Sequence, residues 1–174
     1  MTRPSCLLVA VAIVLISPTA PAAVVASGVG GFIIRDEVVY PGERAAAWQR
    51  LVRIQDWWSS AHTYSGNSAN LSMSLRPGGC WCEKLPNGGF VRHMDVVLVI
   101  PGETLSVTGG LGPLQAMGAT GALTFTLKDG AKGTTVIAEY AVTGYSAGGI
   151  GQLAAPVDEV LAEQLASFAA PAHH

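Results

Sequence analysis

Two thiols, an imidazole and a carboxylate stand close together in the chain at Cys80, Cys82, His93 and Asp95. Asn87-Gly88 lies between the two cysteines and the His93–Asp95 pair. Asn-Gly is a tight-turn signal, so Cys80–Leu85 and Phe90–Ile100 are expected to pair as a hairpin. Pairing symmetric about that turn sets Cys82 opposite His93 and Cys80 opposite Asp95. Side chains alternate faces along a strand, so these four would share one face. Trp81, Glu83, Arg92 and Met94 would share the other.

Four readings of the cysteine face stay open. Two thiolates, an imidazole and a carboxylate are acceptable zinc ligands, so Cys80, Cys82, His93 and Asp95 form a candidate metal set. The tight C-x-C spacing and the divergence of same-face strand positions weigh against it. A Cys80–Cys82 disulfide is the second reading. In a regular strand their Cα atoms stand about 6.6 Å apart with parallel side chains, so a bridge needs a bulge. Gly78-Gly79 just upstream would permit one. The third reading makes Cys82 a nucleophile with His93 as its base. The fourth has two reduced thiols packing in a sheet.

On the other face, Glu83 and Arg92 oppose each other in this register. They form a cross-strand ion pair if the face is solvated, or orient a polar ligand group if it lines a cavity. A register slip of one residue exchanges the faces. His93 is the best general acid–base candidate by type, with Cys82 or Glu83 beside it.

Periodicity gives the strands and helices around this hairpin. Phe32–Tyr40 reads as a strand. Pro41-Gly42-Glu43 opens a helix carrying Ala45, Trp48, Leu51 and Val52 at helical spacing, and a second short helix carries Ile54, Trp57 and Trp58. A polar loop at His62–Ala69 leads into alternating Leu71, Met73 and Leu75. Strands are then expected near 80–100, 104–108, 119–128 and 134–145. Between them Gly109–Met117 forms an irregular lip. Its Gly109-Gly110-Leu111-Gly112 is no phosphate loop, because Lys-Ser/Thr does not follow. A helix from Gly149 to Ala169 closes the chain, with Ile150, Leu153, Val157, Leu161 and Phe168 on one face and Asp158, Glu159 and Glu163 on the surface.

The chain has 174 residues, 49% hydrophobic and 13% charged. Arg3, the apolar run Leu7–Ile16 and Ala20-Pro21-Ala22 have the three-part layout of a secretory signal peptide at 1–22. The run is too short to span a bilayer, and no stable span is expected once it is removed. Residues 23–31 are read as a disordered lead-in, 32–169 as one domain, and 170–174 as a tail. Without Arg3, nine basic residues face twelve acidic ones, about −3, with no basic stripe, which argues against nucleic acid. Export, periplasmic or secreted, implies a compartment that permits disulfides.

The order of elements resembles the helix-grip fold of the START and Bet v 1 (SRPBCC) superfamily, including polyketide cyclase-like and Hsp90-activator-like domains. The resemblance rests on Glu43-Arg44-Ala45-Ala46-Ala47-Trp48, Trp57-Trp58, Leu75-Arg76-Pro77-Gly78-Gly79, Pro101-Gly102-Glu103-Thr104-Leu105 and Gly133-Thr134-Thr135-Val136. It implies an α+β architecture, a curved antiparallel sheet wrapped around a long C-terminal helix, with a cavity between the two. A signal peptide departs from the Hsp90-activator pattern and sets that role aside.

The expected function is therefore binding of a small apolar or amphipathic molecule. Trp58, Trp81, Tyr140 and Leu161 are expected as walls, and His93 or Arg92 as the polar anchor. The alternative is a cyclase- or hydratase-like enzyme using His93 with Cys82 or Glu83. No cofactor is expected.

Overall fold

Eight antiparallel strands and a C-terminal helix account for most of residues 23–170, the part of the chain described by the computed structural model. The expected signal peptide at 1–22, and 171–174 of the expected tail, lie outside the described residues. The strands are β1 Val24–Gly28, β2 Gly31–Tyr40, β3 Leu71–Met73, β4 Cys80–Lys84, β5 Phe90–Ile100, β6 Thr104–Gly109, β7 Thr120–Gly130 and β8 Gly133–Thr143. They form one sheet in the order β1-β2-β8-β7-β6-β5-β4-β3. The helices are α1 Arg44–Val52, the short α2 Pro113–Ala116 and α3 Ala154–Ala169. The expected α+β helix-grip architecture is the one observed.

Alternation builds the concave face. Leu123, Phe125 and Leu127 of β7 and Val136, Ala138, Tyr140 and Val142 of β8 are buried. They meet Leu161, Leu165 and Phe168 of α3 and Leu51 of α1 in one core. Arg50 of α1 fixes the end of α3, donating to the carbonyls of Phe168 (2.7 Å) and Ser167 (3.0 Å). A cation at a helix C-terminus satisfies carbonyls that lack a partner within the helix.

Two bulges in β5 bend the sheet. Val97 is the extra residue against β6, where Val96 pairs with Val107 and Leu98 with Ser106. His93 is the extra residue against β4, where Trp81 pairs with Met94 and Cys82 with Arg92. Bulges strengthen local twist and re-aim side chains.

Two expectations about the elements are corrected, the lead-in and the place of Asp158, while the closing helix stands as expected with a 3-10 first turn. The disordered lead-in contains β1, which pairs with β2 along the edge. All five of its residues are exposed, so no two-residue hydrophobic alternation marks it in sequence. The C-terminal helix begins as a single 3-10 turn at Ile150–Leu153, and the α-helix follows from Ala154. Pro156 lies in the first turn of α3, where its missing N–H costs no helical hydrogen bond. Asp158, expected at the surface, is 2% exposed.

Candidate functional site

The His93 bulge decides the site. With one residue inserted in β5, both His93 and Met94 turn inward and are buried, while Arg92 remains outside. Symmetric pairing about the turn is thereby corrected. Cys82 faces Arg92, and Glu83 faces Val91. The expected Glu83–Arg92 pair does not form. Arg92 instead bonds Asp95 on the outer face, so it is not a cavity residue.

The same bulge dissolves the candidate metal set. Cys80 and Cys82 are joined as a disulfide with Cα atoms 5.5 Å apart, shorter than an extended strand would give. Neither sulfur is a free thiolate for zinc or for nucleophilic attack with His93. His93 points to the opposite face from Cys80, Cys82 and Asp95. Contraction of β4 over residues 80–82, opposite a β5 carrying an extra residue, is one continuous distortion.

Gly109 makes room for it. This residue pairs with Met94 and has φ of 150°, and an added Cβ would lie 2.7 Å from the His93 carbonyl oxygen. Only glycine tolerates both that conformation and that approach.

Inside, the His93 Nε2 lies 2.9 Å from the Glu83 Oε2. Glu83 is 1% exposed and also accepts the backbone N–H groups of Tyr64 (3.1 Å) and Ser65. Burial acts to raise its carboxyl, but these hydrogen bonds outweigh burial and hold it below the usual carboxylate range. Burial also pushes the His93 imidazole below its ordinary value, against the opposing pull of Glu83. The ring is therefore neutral at pH 7. With Glu83 ionised, Nε2 carries the proton donated to it, leaving Nδ1 as an acceptor.

A cavity of about 560 Å3 opens between the sheet and α3. Trp58, Trp81, His93, Tyr140 and Leu161 all line it, whereas Arg92 does not. Trp58 and Trp81 meet edge to face with centroids 4.6 Å apart. The Trp81 indole N–H has no hydrogen-bond partner among the described residues. Trp57 turns away from the cavity and packs on Phe125 and Phe168 in the core.

Tyr140 points inward, but its hydroxyl is occupied. It donates to the Gly109 carbonyl (3.1 Å) and accepts from the Leu111 N–H (3.2 Å). Burial pushes its pKa up to about 12. Tyr140 thus pins the lip segment that carries Leu111 and Leu114 into the cavity wall, and Met117 lies outside the cavity, exposed.

Sequence reasoning missed the loop at 59–65 as a wall of the site. Ser59 donates its N–H to the Gln164 Oε1 (2.6 Å), and His62 lies 3.3 Å from the Glu163 carboxylate. The Tyr64 hydroxyl donates to the Gly112 carbonyl (3.2 Å). This loop therefore ties α3, β4 and the lip together around the mouth. No periodicity announces such contacts, because they are polar side-chain bonds between segments far apart in sequence.

No protein-family model matches the chain, and no curated protein sequence does. Solved structures do match. Mll3558 from Rhizobium loti superposes with a TM-score of 0.58 at 19% identity, over 79% of this chain and 94% of that one. DynU16, a protein in the dynemicin biosynthetic locus, gives a TM-score of 0.55 at 20% identity, over 79% of this chain and 45% of that one. The di-domain ARO/CYC StfQ from the steffimycin biosynthetic pathway gives 0.54 at 16% identity, over 82% of this chain and 51% of that one. The chain thus spans about half the length of the latter two. At these identities the likeness is one of fold alone, a curved antiparallel sheet closed by a long C-terminal helix.

Proposed function

We propose that this protein is exported and binds a small apolar or amphipathic molecule between its sheet and α3. The observation that carries this reading is an apolar cavity of about 560 Å3 with His93 in its wall, held from behind by the buried Glu83. Small-molecule sites run to roughly 300–1,000 Å3 and combine apolar walls with few fixed polar groups. His93, oriented by Glu83, is the polar anchor, and its Nδ1 accepts a hydroxyl or amide proton of the ligand. Trp58, Trp81, Tyr140 and Leu161 form the walls.

A second reading is catalysis of the cyclase or hydratase kind, and the same pair favours it. A neutral imidazole held by a carboxylate is a competent general base near pH 7. The helix-grip neighbour StfQ is described as an ARO/CYC protein.

Native mass spectrometry of protein recovered from an oxidising compartment, then denatured, tests the first reading. A co-purifying organic mass released by denaturation is expected. Failure both to carry such a mass and to bind 1-anilinonaphthalene-8-sulfonate would overturn the cavity reading. On the binding reading His93→Ala weakens ligand affinity. On the catalytic reading it removes turnover while binding largely survives.

A further inference from the structure

Ala23, the first described residue, is held at both ends. Its carbonyl accepts the Arg35 N–H at 3.0 Å, the start of the β1–β2 ladder. Its own backbone nitrogen donates to both carboxylate oxygens of Asp158, at 3.1 and 3.3 Å. Asp158 lies on the buried face of α3, in line with Ala154, Leu161 and Leu165. Asp36, on β2, is only 8% exposed, and its Oδ2 has no hydrogen-bond partner among the described residues. Two acids are thus buried between β2 and α3. Nearby cations are engaged elsewhere: Arg35 with Glu139, and Arg50 with the carbonyls at the end of α3.

Burying a carboxylate is costly unless a charge compensates it. A single amide N–H is a poor substitute for a cation. The missing positive charge is one peptide bond away. Ala20-Pro21-Ala22 is a small-x-small cleavage pattern behind an apolar run, and it ends immediately before Ala23.

We propose that the chain is cut between Ala22 and Ala23, and that the new α-ammonium of Ala23 is a built-in counter-ion for Asp158, with Asp36 as the second carboxylate. The cut is hydrolysis by an exported endopeptidase that reads small residues. Water adds its hydroxyl to the Ala22 carbonyl carbon, the C–N bond breaks, and the Ala23 nitrogen takes the proton. At neutral pH the freed amine binds a second proton. The Ala23 carbonyl stays in the ladder throughout, so the nitrogen is already in place when its charge appears. Before cleavage, burial and repulsion from Asp158 push the Asp36 carboxyl up to about 6, the signature of an acid pair short of positive charge. This inference rests on the export part of the proposed function and is independent of the ligand.

The test expresses the full 174-residue chain in an exporting host and determines the first residue of the recovered protein by intact mass and N-terminal sequencing. The α-amine is then acylated with N-hydroxysuccinimidyl acetate in the native protein, in Asp158→Asn, in Asp36→Asn and in urea. The expected result is a chain beginning at Ala23 with a slow α-amine. One unit of pKa elevation reduces the reactive neutral fraction about tenfold, so Asp158→Asn should acylate about tenfold faster. Should Asp158→Asn fail to fold, the native-to-urea ratio and a smaller acceleration in Asp36→Asn carry the same information. A chain still beginning at its initiator end overturns export and this proposal together. A first residue other than Ala23 overturns this proposal and leaves export standing. An Ala23 amine that reacts equally fast in the native, Asp158→Asn and Asp36→Asn proteins overturns the counter-ion role.

Discussion

Glu83 and His93 lie 2.9 Å apart without being partners in the β-ladder. Glu83 pairs with Val91, and His93 is the unpaired residue of the bulge. The insertion turns His93 to the face that Glu83 occupies, and that carboxylate also collects the N–H groups of Tyr64 and Ser65. Glu83 is therefore the knot between the cavity wall and the loop at its mouth. Glu83→Ala leaves one buried donor, His93, and two part-buried ones, the N–H groups of Tyr64 and Ser65, without their acceptor. It should lower stability by about 2–4 kcal/mol, read by chemical denaturation. An unchanged midpoint would mean that the loop is anchored elsewhere.

Acid should weaken the same pair. His93 has a folded pKa below its ordinary 6.5, so the fold favours the neutral ring. That stabilisation is present above the unfolded pKa and is lost as pH falls from 6.5 through the lower folded value. Glu83 has a folded pKa below 4.5, so its contribution is present above 4.5 and disappears at still lower pH. In the uncleaved chain Asp36 acts with the opposite sign, losing stability as pH rises through about 6. Comparing the native protein with His93→Gln cancels the Asp36 contribution. From pH 7.5 to pH 5 the native Tm should fall further than that of His93→Gln, by thermal denaturation.

Leu161→Trp places an indole where α3 faces the cavity. Because it fills existing space, this change should leave Tm within a few degrees of the native value. It should weaken binding of 1-anilinonaphthalene-8-sulfonate at least about tenfold, a loss of about 1.4 kcal/mol. Undiminished fluorescence titration would place the binding site elsewhere.

The Cys80–Cys82 bond closes so short a loop that chain entropy gives it only about 1.5 kcal/mol. Replacing both cysteines by serine should therefore cost little in Tm. Its larger effect should be on geometry, since a relaxed β4 returns towards about 6.6 Å between these Cα atoms. The His93 ring resonances should shift in an NMR spectrum of the double variant. If they hold still, the bulge does not depend on the bond.

The order of elements was legible because it rests on periodicity. Alternation at Leu123, Phe125 and Leu127, the turn at Asn87-Gly88 and the stripe on α3 are each local signals. The His93 bulge is not local, since a turn fixes register only while both strands stay regular. One conflict did point to it: regular pairing puts Arg92 and Met94 on one face, and a buried Met94 then demands a buried arginine. Asp158 shows a different failure. Its spacing from Ala154, Leu161 and Leu165 places it on the apolar stripe, but its charge argued for the surface. β1 was hidden because a strand exposed on both sides carries no alternation.

The sheet also ends in two unequal edges. β3 offers three residues of backbone and β1 five, and β1 is interrupted by an irregularity between Val24 and Ala26. Every other strand has a neighbour on both sides. A chain this rich in apolar and β-branched residues is at risk of templating its own aggregation, and long straight borders are where that begins. Short, kinked borders deny a second molecule the length it needs to zip on, so the same sheet that encloses a cavity stays unattractive to its copies.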